Sequence, residues 1–394
     1  MTRPKRMRCA LFLSWLFGAG VACAIEVSPG DWPIYHGDAA LRGVAPVTFP
    51  ESLEVKWRTR LGAPPASPPV VCGDRVVVAV EGGGLLGLTR QGNLAWSVAM
   101  AKPANPATTV QESFSTPPLC IGGLVLIGSD QGFLYAVEAG SGARRWKQKT
   151  GDDLLGSPNW VSAGTGREVR VLVMSRGDGV LKLLSLADGH RVWAAAPVSR
   201  CDTPPAVGSG VAVFGACDAA VHILSLTDGT SRGVVRLDEH GPMAGGAAVE
   251  GDHAFVGTRD GSVVCVDIPR ATVAWTSRCA SNEVFTTPAL TSNRVVAGAS
   301  DGRIYCLDRR DGKPLWVATT EGNPSSPAIA GDKVVVASGG TLFLFSLETG
   351  RQVWAAKAGD SLTAPAITGD GVFVGTDDGF LVLYGPPGKA REKS

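Results

Sequence analysis

Tryptophan returns along this chain at Trp57, Trp96, Trp146, Trp193, Trp275, Trp316 and Trp354, with gaps of 39, 50, 47, 82, 41 and 38 residues. The gap of 82 is two units of 41 with one tryptophan missing, and Gly233 stands where it would fall. A period of about 40–50 residues belongs to a propeller or a solenoid, and few other architectures tolerate it. Each tryptophan is therefore expected to be architectural and to pack between neighbouring units.

The unit itself reads as four short strands. In the sixth copy, Thr287-Pro288-Ala289-Leu290 is followed by a turn at Ser292-Asn293 and the apolar run Arg294 to Gly298. A turn at Asp301-Gly302 leads to Arg303-Ile304-Tyr305-Cys306-Leu307-Asp308, and a turn at Asp311-Gly312 leads to the strand bearing Trp316. Gly, Asn and Asp supply the positive φ that tight hairpins need. The same order runs from Ser67-Pro68, Thr116-Pro117, Ser157-Pro158, Thr203-Pro204, Gly245-Gly246 and Ser326-Pro327, and an eighth copy begins at Ala364-Pro365. That last copy stops after three strands, at Phe380 to Tyr384. Leu53 to Arg60, upstream of the first full unit, carries the pattern of the missing fourth strand around Trp57.

Placing that strand in the last unit closes a ring and removes the free edges of an open array. A solenoid would need polar capping repeats at both ends. The expected fold is all-β, an eight-bladed propeller of four-stranded antiparallel blades over residues 25–385, its last blade closed by an N-terminal strand. The 51 Gly and 26 Pro agree with many tight turns. With 37 Lys+Arg against 36 Asp+Glu, nothing suggests a broad nucleic-acid surface. A closed ring is complete as a monomer.

Residues 1–24 resemble an export signal: Arg3, Lys5, Arg6 and Arg8, an apolar run from Ala10 to Ala19, and the small-residue site Ala22-Cys23-Ala24. Gly20-Val21-Ala22-Cys23 is also a degenerate lipoprotein box, so Cys23 is a candidate for lipidation, and the expected location is the periplasm or the extracellular side. No later run is long and apolar enough to span a bilayer as a helix. Residues 386–394 read as a flexible tail.

Seven cysteines follow Cys23, an odd number, without haem-attachment or zinc spacing. Cys201 and Cys217 flank the turn Gly208-Ser209-Gly210 almost symmetrically, the arrangement of cross-strand neighbours that could form a disulfide; two small buried thiols is the other reading. The five histidines are scattered, no metal site is expected, and no catalytic residue is assigned.

The succession S/T-P-x-x, D-G-x-(L/I)-Y-A-(L/V)-D and (T/S/D)-G-x-x-x-W resembles the PQQ-type, quinoprotein-like propeller family. It is clearest at Gln131 to Glu138 with Ser141-Gly142 to Trp146, and at Asp301 to Asp308 with Asp311-Gly312 to Trp316. The opening Asp31-Trp32-Pro33-Ile34-Tyr35-His36-Gly37-Asp38 is similar to the start of many secreted members. The resemblance implies one of two branches. One holds quinoprotein dehydrogenases that oxidise alcohols or sugars with PQQ and Ca²⁺. The other holds binding proteins without a cofactor, including the BamB-type outer-membrane assembly factor. The dehydrogenase branch implies long inter-blade insertions and a vicinal Cys-Cys pair. This chain has no Cys-Cys, and most of its units are near minimal length. The expectation is a non-catalytic binding or scaffold protein of the bacterial envelope, without a cofactor and with an envelope protein as partner. The alternatives are a short quinoprotein dehydrogenase and a carbohydrate- or cation-binding propeller.

One pattern looks like a site. Five residues before the S/T-P or A-P proline stand Glu112, Asp153, Glu283 and Asp360 in four units, and Glu321 lies six before Pro327. Pseudo-symmetry puts these carboxylates on one mouth of the ring, where a single charge sign would concentrate cationic partners. The competing reading is that each carboxylate satisfies its own loop. The longest inter-blade loop, Ser97 to Phe114, carries Val98, Met100 and Phe114 and is a second candidate contact surface.

Overall fold

The computed structural model describes residues 30–99, 112–114, 116–154, 156–163, 168–237, 239, 241, 243 and 245–388. The signal segment with Cys23, the tail beyond residue 388, His240 and most of the Ser97–Phe114 loop lie outside the described residues. Eight sheets make up the structure, each with four antiparallel strands, and no helix occurs among the described residues. Blade 6 is representative: Ala289–Leu290, Arg294–Ala299, Arg303–Asp308 and Pro314–Thr319, from the axis outward. The second and third strands of each blade are apolar on both faces because each blade is sandwiched between two others. The fourth strand is the free edge.

Ring closure is as the sequence implied. Glu54–Arg60 pairs with Phe380–Gly385, setting Trp57 opposite Leu383 and Val55 opposite Tyr384. In all eight blades the register shifts by a bulge just before the tryptophan position. The bulged G-x-x-x-W stretch turns the indole onto the next blade. Trp57, Trp96, Trp146, Trp193, Trp275 and Trp316 donate from Nε1 to the carbonyls of Arg90, Ala139, Leu186, Leu226, Arg309 and Leu347, at 2.9–3.2 Å. The indole lies on the turn glycine beside that carbonyl. A Cβ on Gly312 would come within 2.6 Å of Trp275, so nothing larger than glycine fits. Trp354 meets the last blade instead, edge-on to Tyr384 at 5.6 Å.

The missing tryptophan is compensated. Where Gly233 replaces it, the facing turn carries Ala271 in place of glycine, and a Cβ on Gly233 would lie 2.4 Å from that of Ala271. Ala271 adopts a φ of 50°, the left-handed conformation the other turns give to glycine. One junction has exchanged the large and small partners.

The cysteine expectation needs correction. Cys201 and Cys217 are both free, the first buried and the second exposed. The hairpin register sets Val207 opposite Ala212, which carries Cys217 level with Asp202 rather than Cys201. One residue of offset turns two side chains to opposite faces. Cys72 and Cys120 form a disulfide instead, with Cα atoms 6.0 Å apart, joining the innermost strands of blades 1 and 2.

Candidate functional site

The first strands of the blades run from one face of the ring to the other. The loops entering them, together with the turns between second and third strands, form a mouth on the entry face. The opposite face is filled by the chain's own N-terminal segment, a placement that no repeat or motif signalled.

That segment makes a circuit of the axis. The Trp32 and Pro33 carbonyls accept from Val71 N and Cys120 N of blades 1 and 2 at 2.9 and 2.7 Å. The Ala39 carbonyl takes Asn159 Nδ2 of blade 3 and Val207 N of blade 4, both at 2.7 Å. Ala40, Arg42 and Gly43 then accept from Val249, Leu290 and Ile329 of blades 5, 6 and 7 at 2.7–2.9 Å. Val44–Ala45 finishes as a short parallel strand on blade 7. Buried inner-strand amides need partners, and this segment supplies one carbonyl after another in blade order.

The space inside the circuit is packed with Trp32, Ile34, His36 and Leu41, all 4% exposed or less. Tyr35 reaches furthest toward the mouth. Its hydroxyl donates to Thr287 Oγ1 at 3.2 Å and shares a 2.6 Å bond with Ser326 Oγ. His36 sets its ring nitrogens against two carbonyl oxygens, Leu41 at 2.5 Å and Pro327 at 2.8 Å. Burial pushes the imidazole below its ordinary 6.5, against the pull of those carbonyls and of Asp38.

At the mouth, the carboxylates of Glu112, Asp153, Glu283 and Glu321 are held within their own blades. Glu112 accepts from Ser129 Oγ and the Tyr135 hydroxyl, both at 2.6 Å, and from Lys147 Nζ at 3.1 Å. Burial, with Glu112 beside it, raises the Tyr135 phenol. Asp153 pairs with Arg176 at 3.0 Å, and its other oxygen is buried without a partner. Glu283 accepts from Ser300 Oγ at 3.3 Å, and Glu321 from Thr341 Oγ1 at 2.7 Å. Asp360 is exposed; its backbone N–H donates to Asp377 Oδ1 at 3.0 Å. The five are placed at equivalent loops, each engaged by the turn between the second and third strands of its blade.

Sequence reasoning missed the cationic half of this face. Arg176 bridges Asp153 and Asp202, the latter at 2.7 Å, and Arg200 grips Asp202 at 2.9 Å. Burial alone would raise the Asp202 carboxyl, but these two guanidinium groups outweigh it and hold it low. Asp301 accepts from Ser281 N at 3.1 Å and from the Tyr305 hydroxyl at 2.6 Å. Burial and Asp301 push Tyr305 up to about 12. The Tyr of the D-G-x-(L/I)-Y motif thus serves the mouth in both blades that carry it, a signal the repeat alignment contained. The surface offers alternating charge with fixed donors and acceptors, which suits recognition of a polar partner.

PQQ is the cofactor of the dehydrogenase branch. A planar tri-anionic quinone needs an open aromatic platform, cations for its carboxylates and oxygen ligands for a metal. The axial space on the face opposite the mouth is filled by Trp32 to Leu41. No group of three or more His, Cys, Asp or Glu among the described residues could hold a metal ion. No helix among them is long and apolar enough to cross a membrane.

A family model described as outer membrane protein assembly factor BamB matches residues 50–232 and 178–382. A protein of that name from Burkholderia pseudomallei is 24% identical over 217 residues, covering 52% of this chain and 55% of the relative. One from Moranella endobia is 23% identical over 281 residues, 67% of each chain. Against the Burkholderia protein the chain thus spans about half of the relative's length. Among solved structures, BamB from Moraxella catarrhalis superposes with a TM-score of 0.69 at 18% identity, covering 86% of this chain and 99% of that one. Quinohemoprotein alcohol dehydrogenase from Comamonas testosteroni gives 0.71 at 12% identity, covering 94% and 82%. At such identities the superpositions speak for the fold alone, and they include both branches.

Proposed function

The chain belongs to the outer membrane protein assembly factor BamB family, and we propose that it acts as a non-catalytic scaffold of the bacterial envelope in outer-membrane protein assembly. The observation that carries this reading is the filled axis. The N-terminal segment closes the axis on the face opposite the mouth, leaving the mouth loops as the exposed, chemically varied surface. Glu112, Asp153, Glu283 and Asp360, with Arg176, Arg200 and Asp202, form the contact set. The partner is an envelope protein of the assembly machinery, and the working location is the periplasmic side, with Cys23 as the point of attachment if it is lipidated. The names of the relatives support the process.

The test is site-specific photocrosslinking in intact cells. A crosslinker at exposed Asp360 should capture a component of the outer-membrane assembly machinery, while one at Asp74, on the opposite face, should not. Charge reversal of Glu112, Asp153 and Glu283 together, in the protein carrying the crosslinker at position 360, should abolish the adduct. Equal capture from both faces would overturn the mouth as the contact surface. Dye reduction dependent on PQQ, Ca²⁺ and an alcohol or sugar would overturn the non-catalytic reading.

A further inference from the structure

The eight fourth strands differ sharply in how they guard the rim of the ring. In blade 6, Thr320 N bonds to the Gly302 carbonyl, and the register continues through Ile304 opposite Ala318 and Cys306 opposite Trp316. Antiparallel pairing alternates bonded and non-bonded pairs. Val317 and Thr319 are therefore the non-bonded residues, and their N–H and C=O groups point out to the free edge. The tryptophan-centred register is shared by the other blades, so the corresponding outward residues can be read off around the rim.

On blades 8 and 2 they are cations, Arg58 and Arg60 in the first case and Lys147 and Lys149 in the second. Blades 4, 5 and 7 end the outward row with Arg236, Arg278 and Lys357. Charged side chains on an edge are the usual defence against unwanted strand pairing. Blades 1 and 3 present only alanine or serine there. Blades 1 and 6 both have uncharged fourth strands bearing an exposed large apolar side chain, Leu94 at 59% in the first and Leu315 at 46% with Val317 at 55% in the second, but of the two only blade 6 carries one, Val317, in its outward row. A cavity of about 500 Å³ lined by Leu315, Arg294, Arg310 and Glu348 opens beside its start.

We propose that the outer edge of blade 6 is a docking strand for an extended polypeptide segment of alternating apolar residues, paired through the outward backbone groups of Val317 and Thr319. Backbone pairing supplies affinity in such additions, and alternate side chains supply selectivity. The area argues for this occupant over a second copy of the chain. A six-residue edge buries far less than the ~800 Å² per partner of a stable interface. The absence of charge argues for apolar side chains on the incoming strand, and the basic rows of blades 8 and 2 direct it to this blade. The site is separate from the mouth, so either reading can fail alone.

The probe is a short capped peptide of alternating valine and threonine, added to the intact protein and followed by hydrogen exchange. Binding should slow exchange at the amides of Val317 and Thr319 and leave those of Lys147 and Lys149 unchanged. Val317→Lys copies what blades 2 and 8 already carry, so the fold should tolerate it, and it should weaken binding roughly tenfold or more. The same peptide with alternate amides N-methylated should not bind, whereas the mouth charge-reversal variant should bind as the parent does. Unchanged affinity in Val317→Lys, or protection at another blade, would overturn the proposal. So would a parent dimer that Val317→Lys makes monomeric, since the occupant would then be a second copy.

Discussion

The two faces of this ring are built by opposite means. On the filled face, apolar side chains and backbone carbonyls of one continuous segment satisfy seven blades in succession, and Trp32, Ile34 and Leu41 are almost completely buried. On the mouth, carboxylates are satisfied one at a time by serine, threonine, tyrosine, lysine or arginine of the same blade. Burial of apolar area is worth far more than a partly exposed ion pair. Stability should therefore reside in the filled face, and recognition in the mouth. The contrast shows how a repeat architecture can specialise without altering its repeat.

The largest expected effect breaks the filled face. Trp32→Ala should cost about 3–5 kcal/mol, seen as a lower denaturant midpoint, because it opens a cavity where the circuit begins. A loss below about 1 kcal/mol would place the stabilising weight elsewhere. A smaller effect concerns acid. With its folded value pushed below 6.5, His36 leaves the folded chain binding fewer protons than the unfolded chain just below that pH. Its contribution to stability is complete above pH 6.5 and is lost as the pH falls from there toward the folded value. Melting temperatures across this window should fall less steeply for His36→Asn, which also accepts the positive φ of 64° at that residue. An unchanged slope would acquit His36. Smallest of all, Asp360→Ala on the mouth should change stability by no more than about 0.5 kcal/mol while weakening partner capture. A larger destabilisation would blur the division between the faces.

Much of this was legible in the sequence because repeats announce themselves. Seven tryptophans and their turn glycines fixed blade number and order, and the surplus strand around Trp57 matched the deficit after Tyr384. Gly233 was visible as a gap, but its compensation by Ala271 was not, since an exchange across a junction follows no period. Trp32 to Gly43 escaped for the same reason. The segment passes from blade to blade at irregular intervals, so its conformation has neither the period of a strand nor that of a helix. The Cys72–Cys120 bridge left a faint trace, two cysteines 48 residues apart at nearly the same phase of neighbouring units. Symmetry about one hairpin was the more visible cue and the misleading one, because pairing depends on register to the single residue.

The route of Trp32 to Arg60 bears on how the molecule is made. A ribosome delivers Trp32 to Arg60 before any blade exists, yet these residues dock on blades 1 to 7 and complete the sheet formed by the final residues. Their contacts span nearly the whole chain, and such distant closures are slow. The earliest part of the polypeptide must wait for the latest, so maturation ends in a single concerted locking event, and a nascent chain interrupted before blade 8 would expose both its empty hub and an unzipped seam.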